Sequence, residues 1–207
     1  MNGLPILRRI GQAIDRRYLK KVGAEPVPGS EIGLILICYH LYGGKQPLEL
    51  NDQTVVRPGE LVGELHFSNI KITELGAEHS ERSMEWRLID LIKQEFKTLV
   101  KASLEGKVPA AVRAFYGVNV LAAGARRLGF TMVPIPKGWN RWWLGFWESM
   151  LRLIYYSFET KKKASIKRTM DPYEVWMSRD FMIAKFMKDR KGKVQSETGE
   201  AETSIKN

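Results

Sequence analysis

The sequence predicts one α+β domain, a small and mostly antiparallel sheet packed with several amphipathic helices. Three observations predict it. Residues 32–72 are apolar segments broken by turn residues, residues 83–106 switch to helical spacing, and beyond Gly106 short strand and helix patterns alternate with no internal repeat. With 207 residues, 44% hydrophobic and 10% aromatic, the chain is long enough for one real core and is not of disordered composition.

The first segment, 1–22, reads as a basic amphipathic helix. Ile6, Ile10, Ile14 and Tyr18 recur every fourth residue on one face, and Arg8, Arg9, Arg16, Arg17, Lys20 and Lys21 stand against the single acid Asp15. A docking helix with a solvated basic face is the leading reading, and a surface-seeking membrane helix is the sharper one. The single domain then spans 23–187, after the Pro- and Gly-punctuated connector "GAEPVPGS". "IGLILICYHLY" (32–42) reads as a central strand. Asn51-Asp52 turns the chain between Leu48–Leu50 and Thr54–Val56, Pro58-Gly59 makes a second turn, and Leu61–Asn69 is the next strand. Residues 32–72 thus form an antiparallel unit.

Trp86, Ile89, Ile92, Phe96, Leu99 and Val100 mark a long helix stopped by Gly106. A strand follows at 111–117, then a short helix ending at Gly129 with Arg126 and Arg127 in its last turn, then an edge strand over 130–136 that runs into prolines. Asp171, Pro172 and Glu174 carry the residue types of a helix start, and Ser178 can cap another helix. Residues 188–207 have no periodicity and read as a disordered polar tail.

Lys and Arg outnumber Asp and Glu by 33 to 23, a net charge of +10 that favours polyanionic partners without choosing among them. Cys38 is the lone cysteine, so no internal disulfide and no cysteine-based metal site is expected, and a small buried hydrophobe is its role. No run is long and apolar enough to span a bilayer, and "MNGLPILRRIGQAIDRR" lacks the features of a signal peptide. A cytoplasmic protein, resting peripherally on the inner membrane face, is the expectation.

The stretch "WNRWWLGFWESMLRLIYYSFETKKKA" supplies the membrane argument. On a helical wheel Arg141, Gly145, Glu148, Arg152 and Glu159 fall on one narrow stripe, and apolar residues cover an arc of about 200°, against about 100° for an ordinary surface helix. The helix must bury more than one flank, in the core or in an interface. Trp139, Trp142, Trp143 and Trp147, followed by Lys161, Lys162, Lys163, Lys167 and Arg168, suit contact with an anionic membrane. Core packing is the first reading, membrane contact the second. Nucleic acid comes last, because the rings cluster instead of alternating with cations, and no nucleic-acid-binding signature occurs.

Chemistry concentrates in "GELVGELHFSN". Alternation puts Val62, Glu64, His66 and Ser68 on one strand face, and Leu61, Gly63, Leu65 and Phe67 on the core face. Glu64 and His66 are therefore the candidate acid–base pair, or two ligands of a metal to which His40 could add a third nitrogen. A hydrogen-bonding fixture with no catalytic role is the plainer alternative. Asn69 is placed to orient a ligand, and Arg113, Tyr116, Arg126 and Arg127 could recognise phosphate or sugar, though ordinary surface roles suit them too. His79 lies in a polar loop. No phosphate-loop, dinucleotide or zinc-protease motif occurs, so no cofactor is expected.

Three stretches, "VVRPGELVGELHFSN", "RRLGFTMVPIPKGW" and "DPYEVWMSRDF", together resemble the YkoP-like domain family, from the N-terminal helix to about Lys188. The most specific pieces are Gly63-Glu64-Leu65-His66 with Asn69, and Glu174-Val175-Trp176-Met177-Ser178. Domains of this family stand alone or are attached to polysaccharide deacetylases in Gram-positive bacteria. The resemblance implies work on cell-envelope polysaccharide or glycolipid, with a deacetylase or glycosyltransferase as protein partner. It carries no reaction with it. The deacetylase's own metal-binding Asp and His motifs are absent, and only Glu64, His66 and Asn69 carry over as matching positions. The leading expectation is therefore a non-catalytic accessory or binding module at an anionic membrane surface or on a glycan or glycolipid. The alternative is an enzyme on a sugar or lipid headgroup using Glu64 and His66. A weak polyanion or nucleic-acid binder is third.

Overall fold

The computed structural model describes residues 4–77, 84–119, 122–135 and 173–187. In chain order the elements are α1 (Leu4–Val22), β1 (Glu25–Pro26), β2 (Ile35–Leu41), β3 (Leu48–Glu49), β4 (Val55–Val56), β5 (Leu61–Phe67), α2 (Asn69–Ala77), α3 (Met84–Leu104), β6 (Ala114–Asn119), α4 (Ala122–Arg127), β7 (Thr131–Pro134) and β8 (Tyr173–Ser178). A final helix, α5, covers 179–187. Six strands form one sheet in the order β1-β2-β5-β6-β8-β7, and β3 with β4 makes a separate hairpin. Every pairing is antiparallel except β5 with β6, whose crossover carries α2 and α3. This is the α+β architecture that the sequence predicts.

Alternation divides each strand between two faces. On one, Ile35 and Ile37 of β2, Phe115 of β6, and Val175 and Met177 of β8 meet Phe96, Leu99 and Val100 of α3 and Met182 and Phe186 of α5 in the main core. Phe115 is fully buried there, a contribution of about 1.5–3 kcal/mol. Gly63 makes room for it. A Cβ at this position would stand 2.7 Å from Phe115 Cδ1 and 3.1 Å from Ile37 Cδ1. On the other face, Val62, Ala114 and Trp176 pack beneath Leu50 and Val56 at the β3–β4 hairpin. Asp52 of the connecting turn accepts a hydrogen bond from Ser178, and the Asn51 amide donates to Thr131 Oγ1 at 2.8 Å, which pins the hairpin to the sheet.

Helix ends follow local chemistry. α3 stops before Gly106, whose φ of 73° suits glycine. The Ser178 hydroxyl accepts from the Phe181 amide at 3.0 Å and caps α5 as its residue type predicts. β7 is the edge strand and ends at Pro134, also as expected.

Three expectations need correction. The strand read as Leu61–Asn69 ends at Phe67, and Asn69 begins α2, so the antiparallel unit does not reach 72. Ser68 leaves the strand and accepts from the Lys71 amide at 3.3 Å, so capping chemistry takes over at this point. The helix start read from Asp171, Pro172 and Glu174 is instead the inner strand β8. Burial of Val175, Trp176 and Met177 between β6 and β7 overrides the capping pattern, and the Glu174 carboxylate accepts the Trp176 indole N–H at 2.9 Å. Finally, Ile14 and Tyr18, the members of the α1 stripe whose side chains are described, stay outside the core. Ile14 and Tyr18 are 45% and 48% exposed, whereas Asp15 is 9% exposed and takes a hydrogen bond from Asn69 at 3.1 Å. The aromatic stretch 139–159, the basic cluster after it, His79 and the tail 188–207 lie outside the described residues.

Candidate functional site

The hairpin face of the sheet holds a second group of residues, and it is polar. Cys38 and His40 of β2, Glu64 and His66 of β5, and Tyr116 of β6 share one parity and point to one side. In register, Glu64 stands between Cys38 on β2 and Tyr116 on β6. Three neighbouring strands therefore hold the group, a rigid scaffold for side chains.

The carboxylate of Glu64 is shared. Its Oε2 lies 3.3 Å from His40 Nε2, and its Oε1 lies 3.5 Å from His66 Nε2. His40 Nε2 is also 2.9 Å from the Tyr116 hydroxyl, and His40 Nδ1 is 3.0 Å from the carbonyl oxygen of Leu41. A carbonyl only accepts, so Nδ1 donates to it, and Nε2 faces both the Tyr116 hydroxyl and the Glu64 carboxylate. Tyr116 lies flat on Trp176, with ring centroids 4.3 Å apart and an interplanar angle of 12°. The indole thereby fixes the phenol against the carboxylate.

Exposure is graded across the group. The side chains of His66 and Glu64 are 15% and 18% exposed and that of His40 is 41% exposed. Burial lowers the pKa of His66, against the opposing pull of the Glu64 and Asp15 carboxylates. Burial, then the Glu64 charge, raises Tyr116. The same two causes push the Cys38 thiol up to about 11. A thiol held in that state is a poor nucleophile, although Cys38 Sγ lies 3.7 Å from His66 Nε2 in an outwardly cysteine–histidine arrangement.

Helix α1 closes the end of the site beside His66. The Tyr18 ring meets the imidazole edge-on at 5.8 Å between centroids. Asp15, raised by burial, adds a charge that acts on His66.

The sequence-derived candidates divide accordingly. Glu64, His66, His40 and Tyr116 come together. Asn69 stands at the start of α2 as the partner of Asp15, one step removed. Arg113 does not join them. It is exposed, precedes β6 with the parity opposite to Tyr116, and ties Leu61 to Arg179 through its backbone. Arg126 and Arg127 are exposed at the end of α4. Trp139, Trp142, Trp143, Trp147, Lys161, Lys162, Lys163, Lys167 and Arg168 lie outside the described residues. Cys38 is the residue that sequence reasoning misplaced. It is buried, as expected, but its sulfur faces the site, and one ligand atom each of Cys38, Glu64 and His66 lie within 4.8 Å of one another. A cysteine-based metal site is thus not excluded by the cysteine count, because sheet pairing supplies the neighbours that sequence spacing does not. The signal was the parity of "CYH", which puts Cys38 and His40 on one face.

The family model of the YkoP domain matches residues 5–186. The chain belongs to the YkoP domain family. Neither a curated protein nor a solved structure matches it. The match runs through every strand of the six-stranded sheet, so the polar cluster is part of this chain's YkoP domain itself.

Proposed function

We propose that the Glu64 cluster is an acid–base centre acting on a sugar or lipid headgroup of the cell envelope. One observation carries the reading. A single half-buried carboxylate contacts two imidazoles, and a tyrosine hydroxyl is shared with one of them. Such a chain can take a proton at one atom and return it at another, and a positioned acid or base accelerates a reaction by about 10²–10⁴-fold. Glu64 is the base, His66 is the buried neutral imidazole beside it, and Tyr116 relays between Glu64 and the more exposed His40. The envelope substrate class rests on the YkoP resemblance to domains attached to polysaccharide deacetylases.

The test is a panel of N-acetylglucosamine oligomers, their deacetylated forms and anionic glycolipids, incubated with the full chain and followed by mass spectrometry. Conversion by the natural chain with a loss of about 10²-fold or more in Glu64→Gln is the expected result. Conversion that Glu64→Gln leaves intact contradicts the reading.

A second reading, a peripheral accessory module without catalysis, is favoured by α1. Its Ile14 and Tyr18 are exposed beside exposed Arg16, Arg17, Lys20 and Lys21. Among the described residues no helix is long and apolar enough to cross a membrane. Flotation with anionic liposomes, lost in Ile14→Asp, supports this reading, and equal recovery with neutral and anionic liposomes counts against it.

A further inference from the structure

We infer that Cys38, His66 and Glu64 bind one divalent metal ion of the zinc class, through one sulfur, one nitrogen and one carboxylate oxygen, with a fourth position left open. Around a tetrahedral zinc, bond lengths of about 2.0–2.3 Å place neighbouring ligand atoms roughly 3.3–3.6 Å apart. Two edges of this triangle are 3.7 Å, from Cys38 Sγ to His66 Nε2, and 3.5 Å, from His66 Nε2 to Glu64 Oε1, and all three ligand atoms fit within 4.8 Å. The three residues sit on the paired strands β2 and β5, with Cys38 and Glu64 directly opposite one another. Little movement is needed to close them on an ion.

The surroundings fit ligation as well. Glu64 offers Oε1 on the side of His66 and keeps Oε2 for His40, which is itself anchored on the Leu41 carbonyl. That is the outer-shell support that metal carboxylates ordinarily have. A thiolate in the set selects zinc, or cobalt as its spectroscopic substitute, over magnesium or calcium. Binding converts the Cys38 thiol to thiolate and releases its proton to solvent, since a coordinating thiol is deprotonated outright. Three protein ligands with an open fourth position is the pattern of a reactive zinc site, not of a closed structural one. The inference shares residues with the acid–base reading but does not depend on it. With the ion bound, Glu64 and His66 become ligands, and His40 and Tyr116 remain to move protons.

The test uses the full chain, freed of metal with a chelator and titrated with Co²⁺. The chain has a single cysteine, so a thiolate-to-cobalt charge-transfer band reports Cys38 alone. The expected result is that band, together with the visible bands of a tetrahedral ion, saturating at one ion per chain and displaced by Zn²⁺. Cys38→Ser, shown to be folded by circular dichroism, loses the band. His66→Gln and Glu64→Gln each weaken zinc binding by about 100-fold or more in competition with a chromophoric chelator. A folded natural chain that shows no charge-transfer band, or a Cys38→Ser chain that binds zinc unchanged, overturns the inference. Turnover that persists in chelator would then leave the acid–base reading standing alone, and a bound ion with no turnover would leave the metal site alone.

Discussion

Glu64 Oε1 lies 3.5 Å from Nε2 of His66, two residues further along the same strand. The other oxygen of that carboxylate faces His40 on β2. The period-2 geometry of one strand and the register of its neighbour are enough to gather the three groups.

Tyr116→Phe isolates the hydroxyl in this arrangement. The ring keeps its stack on Trp176, so the melting temperature should move by no more than a loss of about 1 kcal/mol allows. Turnover on any substrate converted by the natural chain should fall by about 10²-fold. Thermal melts and rates measured side by side check the pair of outcomes.

Gly63→Ala tests the packing behind Glu64. Its Cβ would collide with Phe115, which has no exposed side to retreat to. Overpacking of this kind costs about 1–3 kcal/mol. Chemical denaturation should show that loss, and Phe115→Leu in the same chain should recover part of it, since the two changes share one space.

Ser178→Ala removes two bonds at once. The α5 cap disappears, and Asp52 loses the hydroxyl that holds the β3–β4 hairpin to the sheet. A loss of about 1–3 kcal/mol by denaturant titration is expected. Ser178→Thr, which keeps the hydroxyl, should lose less.

Asp15 gives a pH dependence. Burial raises its pKa above the ordinary 3.8, so the folded chain holds this proton more tightly than the unfolded chain does. The stability it contributes is complete below 3.8 and drains away as pH rises through the folded value. Asp15→Asn carries no proton there and keeps an oxygen for Asn69. Melts of the two chains across acid and neutral pH should show the natural chain losing ground to the variant as pH rises.

Much of this was legible in the residues. The spacing of Trp86, Phe96 and Leu99 marks α3, and the alternation in "VGELHFS" by itself puts Glu64 and His66 on one face. What was not legible depended on partners distant in sequence. Cys38 looked like one more apolar residue because only register with Glu64 makes it a site residue. Glu174 looked like a helix-start residue because the pull of β6 and β7 on Trp176 is invisible locally. Asp15 looked like the odd acid on a basic helix, and its partner Asn69 is 54 residues away.

Glu64 is electrically shared with the imidazoles of its sheet face. Nitrogen-15 NMR of the histidines in metal-free chain, titrated with acid, tests it most directly. His66 should titrate below the ordinary 6.5, because burial outweighs the nearby carboxylates that favour its protonation. Glu64→Gln removes one of those carboxylates, so the His66 midpoint should fall further. A midpoint that Glu64→Gln leaves where it was would contradict the account.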